Sequence, residues 1–351
     1  MLECAACGAT YADRWRCTCG APLDFAERPL PDGDPDLDPT AGLWAFESFL
    51  PTGAEVTLGE GFTPTTEGDE WDCEFKLEYV HPTGSFKDRG ATTTLSLAAE
   101  LGVDRVVEDS SGNAGAAIAT YAARADIDAS IYVPASVKPS KVRAIERAGA
   151  EVVRIDGSRE GVTEACIEAV EAGGGWYASH AWNPAFYAGT ATFAYEVAAE
   201  RDWSVPDAVV TPLGHGTLFL GAYRGFRALR AAGWTDSMPR LLGAQAAGYA
   251  PIATALHGAD GGTNDLADGI QIRDPARRDQ ILDAIEATDG DAIAVSESAV
   301  EATLDRLHER GFYTEPSCAV APAALEQYRE QGVVAPDDDV VVPLTGSGLK
   351  T

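Results

Sequence analysis

Two groups of residues in this chain have types and spacings that suit chemistry. The first centres on Lys87, in the stretch His81-Pro82-Thr83-Gly84-Ser85-Phe86-Lys87-Asp88-Arg89-Gly90. An apolar, strand-like run from Phe75 to Val80 precedes it and a helix-like run from Ala91 to Leu101 follows, so the lysine is expected on a turn that opens a helix. Backbone N–H groups and positive partial charge collect at such a place. An ammonium partly desolvated there has its charged form disfavoured, which lowers its pKa and frees the amine as a nucleophile. Schiff-base formation with a carbonyl is the chemistry that suits it. The chain has only five lysines, at 76, 87, 138, 141 and 350, which speaks against a merely solubilising role. A solvated lysine after a turn is the plain alternative.

The second group is Cys4, Cys7, Cys17 and Cys19. Two close cysteine pairs place four thiolates for a tetrahedral zinc ion, and Gly8 and Gly20 permit the tight turns that follow each pair. So short a segment cannot hold itself together by apolar burial, so metal would supply its folding energy. A metal-free or redox-sensitive tail is the alternative. Cys73, Cys166 and Cys318 stand in apolar surroundings and read as small core residues.

The elements that must position Lys87 follow from periodicity. Beyond it, short valine- and isoleucine-rich runs alternate with helical lengths: strands at 105–109, 129–134, 151–156, 208–212, 240–246, 292–295 and 340–344, with helices between them. This alternation indicates parallel strands with helical crossovers and a doubly wound α/β sheet. Residues 24–38, rich in proline and aspartate, read as a linker or surface strap. Ligands of such sheets sit beyond the carboxyl ends of strands. Three further loops of that kind carry unusual residues: Glu108-Asp109-Ser110-Ser111-Gly112-Asn113-Ala114-Gly115, Thr211-Pro212-Leu213-Gly214-His215-Gly216-Thr217, and Pro343-Leu344-Thr345-Gly346-Ser347-Gly348-Leu349-Lys350. Together with the Lys87 turn they are expected to converge. Glycines between strand and helix let backbone N–H groups close around a phosphate, and Thr217 adds a hydroxyl donor.

These segments, in this order, resemble those of pyridoxal-phosphate (PLP) enzymes of fold type II. Threonine synthases look closest and threonine/serine dehydratases are nearby. The resemblance implies an α/β architecture of two doubly wound three-layer αβα domains, preceded by a small zinc-ribbon-like segment. It divides the chain into 1–25 (ribbon), 26–87 with 190–351 (large, PLP-binding) and 88–189 (smaller, inserted). It also implies that Lys87 carries PLP and serves as the base. Phe86, Asn113, Gly214, His215, Gly216, Thr217 and Thr345 would line the cofactor, with Thr345 facing the pyridine nitrogen and His215 given no catalytic role. Ser85, Ser110, Ser111, Gly112 and Ala114 would receive the substrate, and Cys4, Cys7, Cys17 and Cys19 would hold structural zinc. The segments 267–270 and 315–321 resemble further stretches lining the cofactor.

Three positions depart from the threonine synthase pattern. The second cysteine pair is CxC rather than CxxC, Ala114 stands where a hydroxyl is expected, and Phe186 stands where an arginine grips the substrate phosphate. A replacement for that cation would have to come from another direction, from Lys138, Lys141, Arg143 or Arg159. The reaction implied is conversion of O-phosphohomoserine to threonine and phosphate. The alternatives are a PLP-dependent lyase on a hydroxy- or thio-amino acid, or a non-catalytic amino-acid sensor.

Composition bounds the rest. A chain of 351 residues with 45% hydrophobic content can bury an ample α/β core. Its net charge of -29 excludes a polyanion partner and fits a salt-rich medium. With no basic start before an apolar run, it is expected to be cytosolic, with an amino acid as its small-molecule substrate and no nucleic-acid or membrane partner. Dimers are common in the group it resembles.

Overall fold

The computed structural model describes residues 1–30, 36–258 and 262–350. Residues 31–35 of the expected strap lie outside them. Among the described residues no helix is long and apolar enough to cross a membrane. The chain divides into two units, residues 1–61 with 87–190, and residues 62–86 with 191–351. Residues 26–61 thus group with the 87–190 segment, whereas the expected division assigns them to the other side.

The first unit is built on four parallel strands in the order Glu151–Ile155, Asp128–Pro134, Arg105–Glu108, Trp176–Tyr177. Strands and helices alternate along 105–171, the pattern of parallel strands joined by helical crossovers. Leu95, Ile118, Ile131, Ile145 and Phe186 are fully buried in its core. Each such side chain contributes about 1.5–3 kcal/mol by leaving water. The helices Lys87–Glu100 and Asn113–Ala125 pack against one another.

The segment before this sheet is tied down by one carboxylate. Glu60, fully buried, accepts from Trp44 Nε1 at 3.0 Å, from the Leu58 N–H at 2.8 Å and from the Tyr121 hydroxyl at 2.8 Å. Gly61, at φ +104, lies against the Leu43 backbone, where a Cβ would collide. The glycines on either side of Glu60 therefore let the chain turn tightly enough to bury it.

The second unit has six strands in the order Asp291–Val295, Arg240–Ala246, Ala208–Pro212, Val340–Pro343, Cys73–Lys76, Thr65–Gly68. Only the edge strand Thr65–Gly68 runs antiparallel. Phe75, Leu242, Val295, Val342 and Tyr328 fill the core, and the Tyr328 hydroxyl finds the Gly243 carbonyl at 2.9 Å. Lys76 is fully buried, paired with Glu196 at 3.4 Å and with Glu200, and donates to the Thr63 carbonyl at 2.6 Å. Its charge is therefore committed to this ion-paired network.

Two expected boundaries move. The strand before the lysine turn ends at Lys76 and is followed by a 3-10 turn at Glu78–Val80, so the run Phe75 to Val80 is not one strand. The Leu77 N–H goes back to the Pro64 carbonyl, which turns the chain out of the sheet. The following helix begins at Lys87 rather than Ala91. The N-terminal segment has three two-residue strands, Leu2–Glu3 between Thr10–Tyr11 and Asp24–Phe25, around a core of Leu2, Cys4, Cys17 and Leu23.

Candidate active site

In the second unit, three parallel neighbours bring the predicted residues to one edge. Strands Cys73–Lys76, Val340–Pro343 and Ala208–Pro212 lie side by side and point the same way. The loops leaving their carboxyl ends are those that hold Ser85 and Phe86, Thr345, and Gly214 to Thr217. The first two loops are stitched together: Ser85 bridges Gly346, the Phe86 N–H donates to the Thr345 carbonyl at 3.1 Å, and the Ser347 N–H donates to the Gly84 carbonyl at 2.9 Å. Gly84 turns the chain at φ +78. This pairing holds the turn open through Phe86, and the helix starts at the next residue, Lys87.

Thr345 is buried, with its hydroxyl 3.4 Å from Cys318 Sγ. Burial pushes the Cys318 thiol up to about 12, so it sits there as a neutral group. Cys318 is fully buried, as expected of a core cysteine, and so is Cys166; Cys73 is only half-buried. Gly346 has no room for a Cβ because the Glu315 carboxyl packs on it, and Glu315 in turn accepts from Ser317 Oγ at 2.8 Å.

The glycine loop is shaped as the sequence predicts. Gly216 has φ +79 and caps the helix Thr217–Ala231, and a Cβ there would come within 2.7 Å of Ile281 Cδ1. Gly214 faces Ile270 Cα, where a Cβ would be 3.2 Å away, so the Asp268–Ile270 turn lies against the loop. His215 lies between the two glycines.

In the first unit, the Ser110–Gly112 loop follows the strand Arg105–Glu108 and Gly112 is the cap of the helix Asn113–Ala125. Ser110 Oγ accepts from the Gly112 N–H at 3.3 Å. Gly115 is pressed against the Ser110 carbonyl, which only glycine permits. Ser110, Ser111 and Asn113 are half-buried and Ala114 is buried. Lys87, half-buried, holds its Nζ 5.6 Å from the centre of the Phe186 ring. Phe186 is fully buried against Gly90, where any Cβ would collide with the ring.

Sequence reasoning missed two residues here, Glu108 and His180. Glu108 ends its strand fully buried, and its Oε1 lies 2.6 Å from His180 Nδ1 while its Oε2 accepts from the His180 backbone N–H at 3.1 Å. His180 lies in the loop after Trp176–Tyr177, the strand that pairs beside Arg105–Glu108. The available signal was an acid closing an apolar strand, and it names no partner.

The four cysteines do meet. Their Sγ atoms all lie within 4.8 Å of one another, with Cys4 to Cys19 at 3.6 Å and Cys7 to Cys17 at 3.5 Å. The Tyr11 hydroxyl, 3.3 Å from Cys17 Sγ, is the first cause that draws that thiol down to about 5.

These elements define an α/β enzyme whose loops gather at the carboxyl edges of parallel strands. Residues 56–346 match the family model described as pyridoxal-phosphate dependent enzyme, and the chain belongs to that family. Its full-length likeness is to threonine synthases: 32% identity with that of Methanosarcina acetivorans, over 99% of this chain and 92% of the relative. The threonine synthase of Methanocaldococcus jannaschii is 31% identical, over 100% and 93%. Among solved structures, maize serine racemase superposes with a TM-score of 0.69 at 22% identity, covering 82% of this chain and 88% of that one. At that identity the likeness shows the fold, which is that of PLP enzymes of fold type II.

PLP is the family's cofactor, and the residues present suit it. A phosphate asks for a loop of backbone donors free of side chains, which Gly214 and Gly216 provide. Two buried hydroxyls, Ser85 Oγ and Thr211 Oγ1, have no hydrogen-bond partner among the described residues, and each stands at a predicted loop. Buried polar groups left this way are ordinarily satisfied by a ligand or water.

Proposed function

We infer that the protein is a threonine synthase-like PLP enzyme that converts O-phosphohomoserine to threonine and phosphate. Lys87 is its point of cofactor attachment. The observation that carries this reading is the shared carboxyl edge: the turn before Lys87, Thr345 and the Gly214–Thr217 loop leave three neighbouring strands in one direction. Fold-level likeness alone would not support it.

When bound, PLP supplies an electron sink for charge at the substrate α-carbon. The rest falls to the chain. Backbone N–H groups of the Gly214–Thr217 loop and the Thr217 hydroxyl bind the cofactor phosphate. Phe86 and Asn113 would hold its ring, and Thr345 would offer the ring nitrogen a neutral hydroxyl. Ser110, Ser111 and Gly112 would receive the substrate carboxylate at the start of the helix Asn113–Ala125, where N–H donors collect, and Ser85 and Ala114 would contact the substrate. Lys87 takes the α-proton on Nζ and carries it to the carbon or oxygen that needs it next.

Phe186 favours a second reading, a PLP-dependent ammonia-lyase acting on a hydroxy- or thio-amino acid. A buried ring stands where a guanidinium would grip phosphate, and each lost charged hydrogen bond is worth about 1–3 kcal/mol. Product analysis separates the two. With O-phosphohomoserine the first reading expects equimolar phosphate and threonine. Ammonia and a 2-oxo acid from serine or threonine, with O-phosphohomoserine inert, would replace it by the second.

The N-terminal cysteines hold structural zinc in this reading. A Zn–S bond of about 2.3 Å places tetrahedral sulfurs about 3.8 Å apart, near the spacing of the two close pairs. The Cys4, Cys7, Cys17, Cys19 quartet is therefore proposed as a stabiliser of residues 1–25 rather than part of the reaction.

A further inference from the structure

Between the two cysteine pairs, residues 13–16 reach the α/β part of the same unit. Asp13 Oδ1 accepts from Trp176 Nε1 at 3.3 Å, and Arg16 Nη2 lies 3.0 Å from Glu171 Oε1. The ion pair is exposed and adds little. Trp15 differs. It is half-buried, and its ring meets Tyr177 and Trp182 edge-on, each with centroids 5.3 Å apart. It packs on a small core of Val107, Cys166 and Tyr177. Edge-to-face pairs of this kind fix the angle of a ring as well as burying it.

The ring so fixed leads to the Ser110–Gly112 loop. Tyr177 pairs in register with Val107, and Asp109, two residues further on, returns to the same face. The Tyr177 hydroxyl donates to Asp109 Oδ1 at 2.9 Å. Ser179 Oγ donates to the same oxygen at 3.3 Å, and Thr163 Oγ1 donates to Oδ2 at 2.6 Å. The three hydroxyls come from the strand Trp176–Tyr177, the loop after it and the helix Arg159–Glu171. Both oxygens of Asp109 are thus held, and the next residues are Ser110, Ser111 and Gly112. The far side of the loop is fixed by Gly115, where a Cβ would lie 1.8 Å from the Ser110 carbonyl oxygen. A loop this short, held on both sides, has little choice in where its N–H groups point.

We propose that Trp15, Tyr177 and Asp109 are positioning residues that set the affinity for the substrate carboxylate by fixing the Ser110–Gly112 loop. None of them touches the substrate. Asp109 orients the peptide groups that follow it, and Tyr177 holds one oxygen of Asp109. Trp15 holds the Tyr177 ring at the angle from which its hydroxyl reaches that oxygen. A carboxylate bound by backbone N–H groups depends on their direction, so a loop released at Asp109 must be ordered again at each binding event. The loss falls on binding rather than on the proton transfers at Lys87. Assignment of this loop to the substrate rests on the reading above.

The test uses the full-length holoenzyme and the amino acid that product analysis shows it to turn over. Tyr177→Phe keeps the ring against Trp15 and removes only the hydroxyl. It is expected to raise KM about tenfold, the effect of one lost hydrogen bond to a charged group, with kcat within about twofold of wild type. Trp15→Ala is expected to do the same from the far side, and Trp15→Phe, which keeps a ring on Tyr177, to recover most of the loss. A purely structural role would show instead as a lower thermal melt and less active protein, hence a lower kcat at unchanged KM. An unchanged KM in Tyr177→Phe overturns the proposal, whether or not Trp15→Ala folds.

Hydrogen exchange keeps failure of this link distinct from failure of the substrate assignment. In the substrate-free holoenzyme, a peptide covering residues 109–116 is expected to exchange faster in Tyr177→Phe and Trp15→Ala than in wild type, while one covering 87–100 keeps its rate. Unchanged exchange over 109–116 breaks the link between Trp15 and the loop, and overturns the proposal with the substrate assignment intact. Faster exchange at unchanged KM overturns it from the other side, because the loop is then held as described yet does not receive the substrate.

Discussion

Lys87→Ala protein is expected to emerge from purification without the visible absorption of lysine-bound PLP, and with turnover reduced at least a thousandfold. Two losses combine. The covalent anchor disappears, and so does the amine that moves the α-proton, a group worth about 10²–10⁴-fold by itself. The fold should survive, because Lys87 is only half-buried at the first position of its helix and its backbone position is fixed by the Phe86 to Thr345 pairing one residue earlier. An unchanged thermal melt with lost colour therefore separates chemistry from stability. Lys76→Ala should do the reverse: it strips a buried cation from Glu196 and Glu200 and costs about 3–5 kcal/mol of stability. A Lys87→Ala protein that retains both colour and turnover would refute the assignment.

The second large effect is expected at the N-terminus. Cys4→Ser should abolish binding of one zinc ion per chain and unfold residues 1–25. The buried core of this segment is Leu2, Cys4, Cys17 and Leu23, with the partly buried Ala9, Tyr11, Ala21 and Phe25 packed against it. Two buried leucines contribute about 1.5–3 kcal/mol each, against about 1–2 kcal/mol of conformational entropy for every residue ordered. A structural zinc ion, about 10–16 kcal/mol at neutral pH, would be the largest single contribution to its folding. Metal analysis of the purified protein and limited proteolysis of the variant read the two consequences directly. Wild-type protein without zinc, yet resistant to cleavage before residue 25, would contradict it.

The sequence reveals those parts of the architecture that are locally determined. Short, largely apolar runs at 208–212, 240–246 and 340–344 announce strands because parallel strands buried on both faces are predominantly apolar. Gly214 and Gly216 announce a loop because a Cβ at either would press on Ile270 or Ile281. What local pattern cannot show is partnership across the chain. The helix starts at Lys87, not Ala91, because the preceding residues pair with 345–347. Strand Trp176–Tyr177 is two residues long and carries no periodicity to read. Glu108 reads as the end of a strand, and only the register beside Trp176–Tyr177 reveals that His180 sits on it. Glu60 reads as part of a turn until Trp44 and Tyr121 are seen to satisfy it.

Phe186 shows the opposite case, in which the residue identity was legible and its consequence was structural. Read as a missing phosphate grip, it also proves to be the packing partner that Gly90 requires and the ring shared by Lys87 and His180. The departure from the threonine synthase pattern is therefore built into the floor beneath the lysine. Restoring an arginine at this buried site would cost stability before it offered any anion binding.

The central claim is that one amine among five carries the cofactor. Borohydride reduction of the purified protein, followed by proteolysis and mass spectrometry, asks this directly. The account predicts one pyridoxyl group per chain, on the peptide containing Lys87. A label on Lys76, Lys138, Lys141 or Lys350, or no label on protein that has bound PLP, would contradict it.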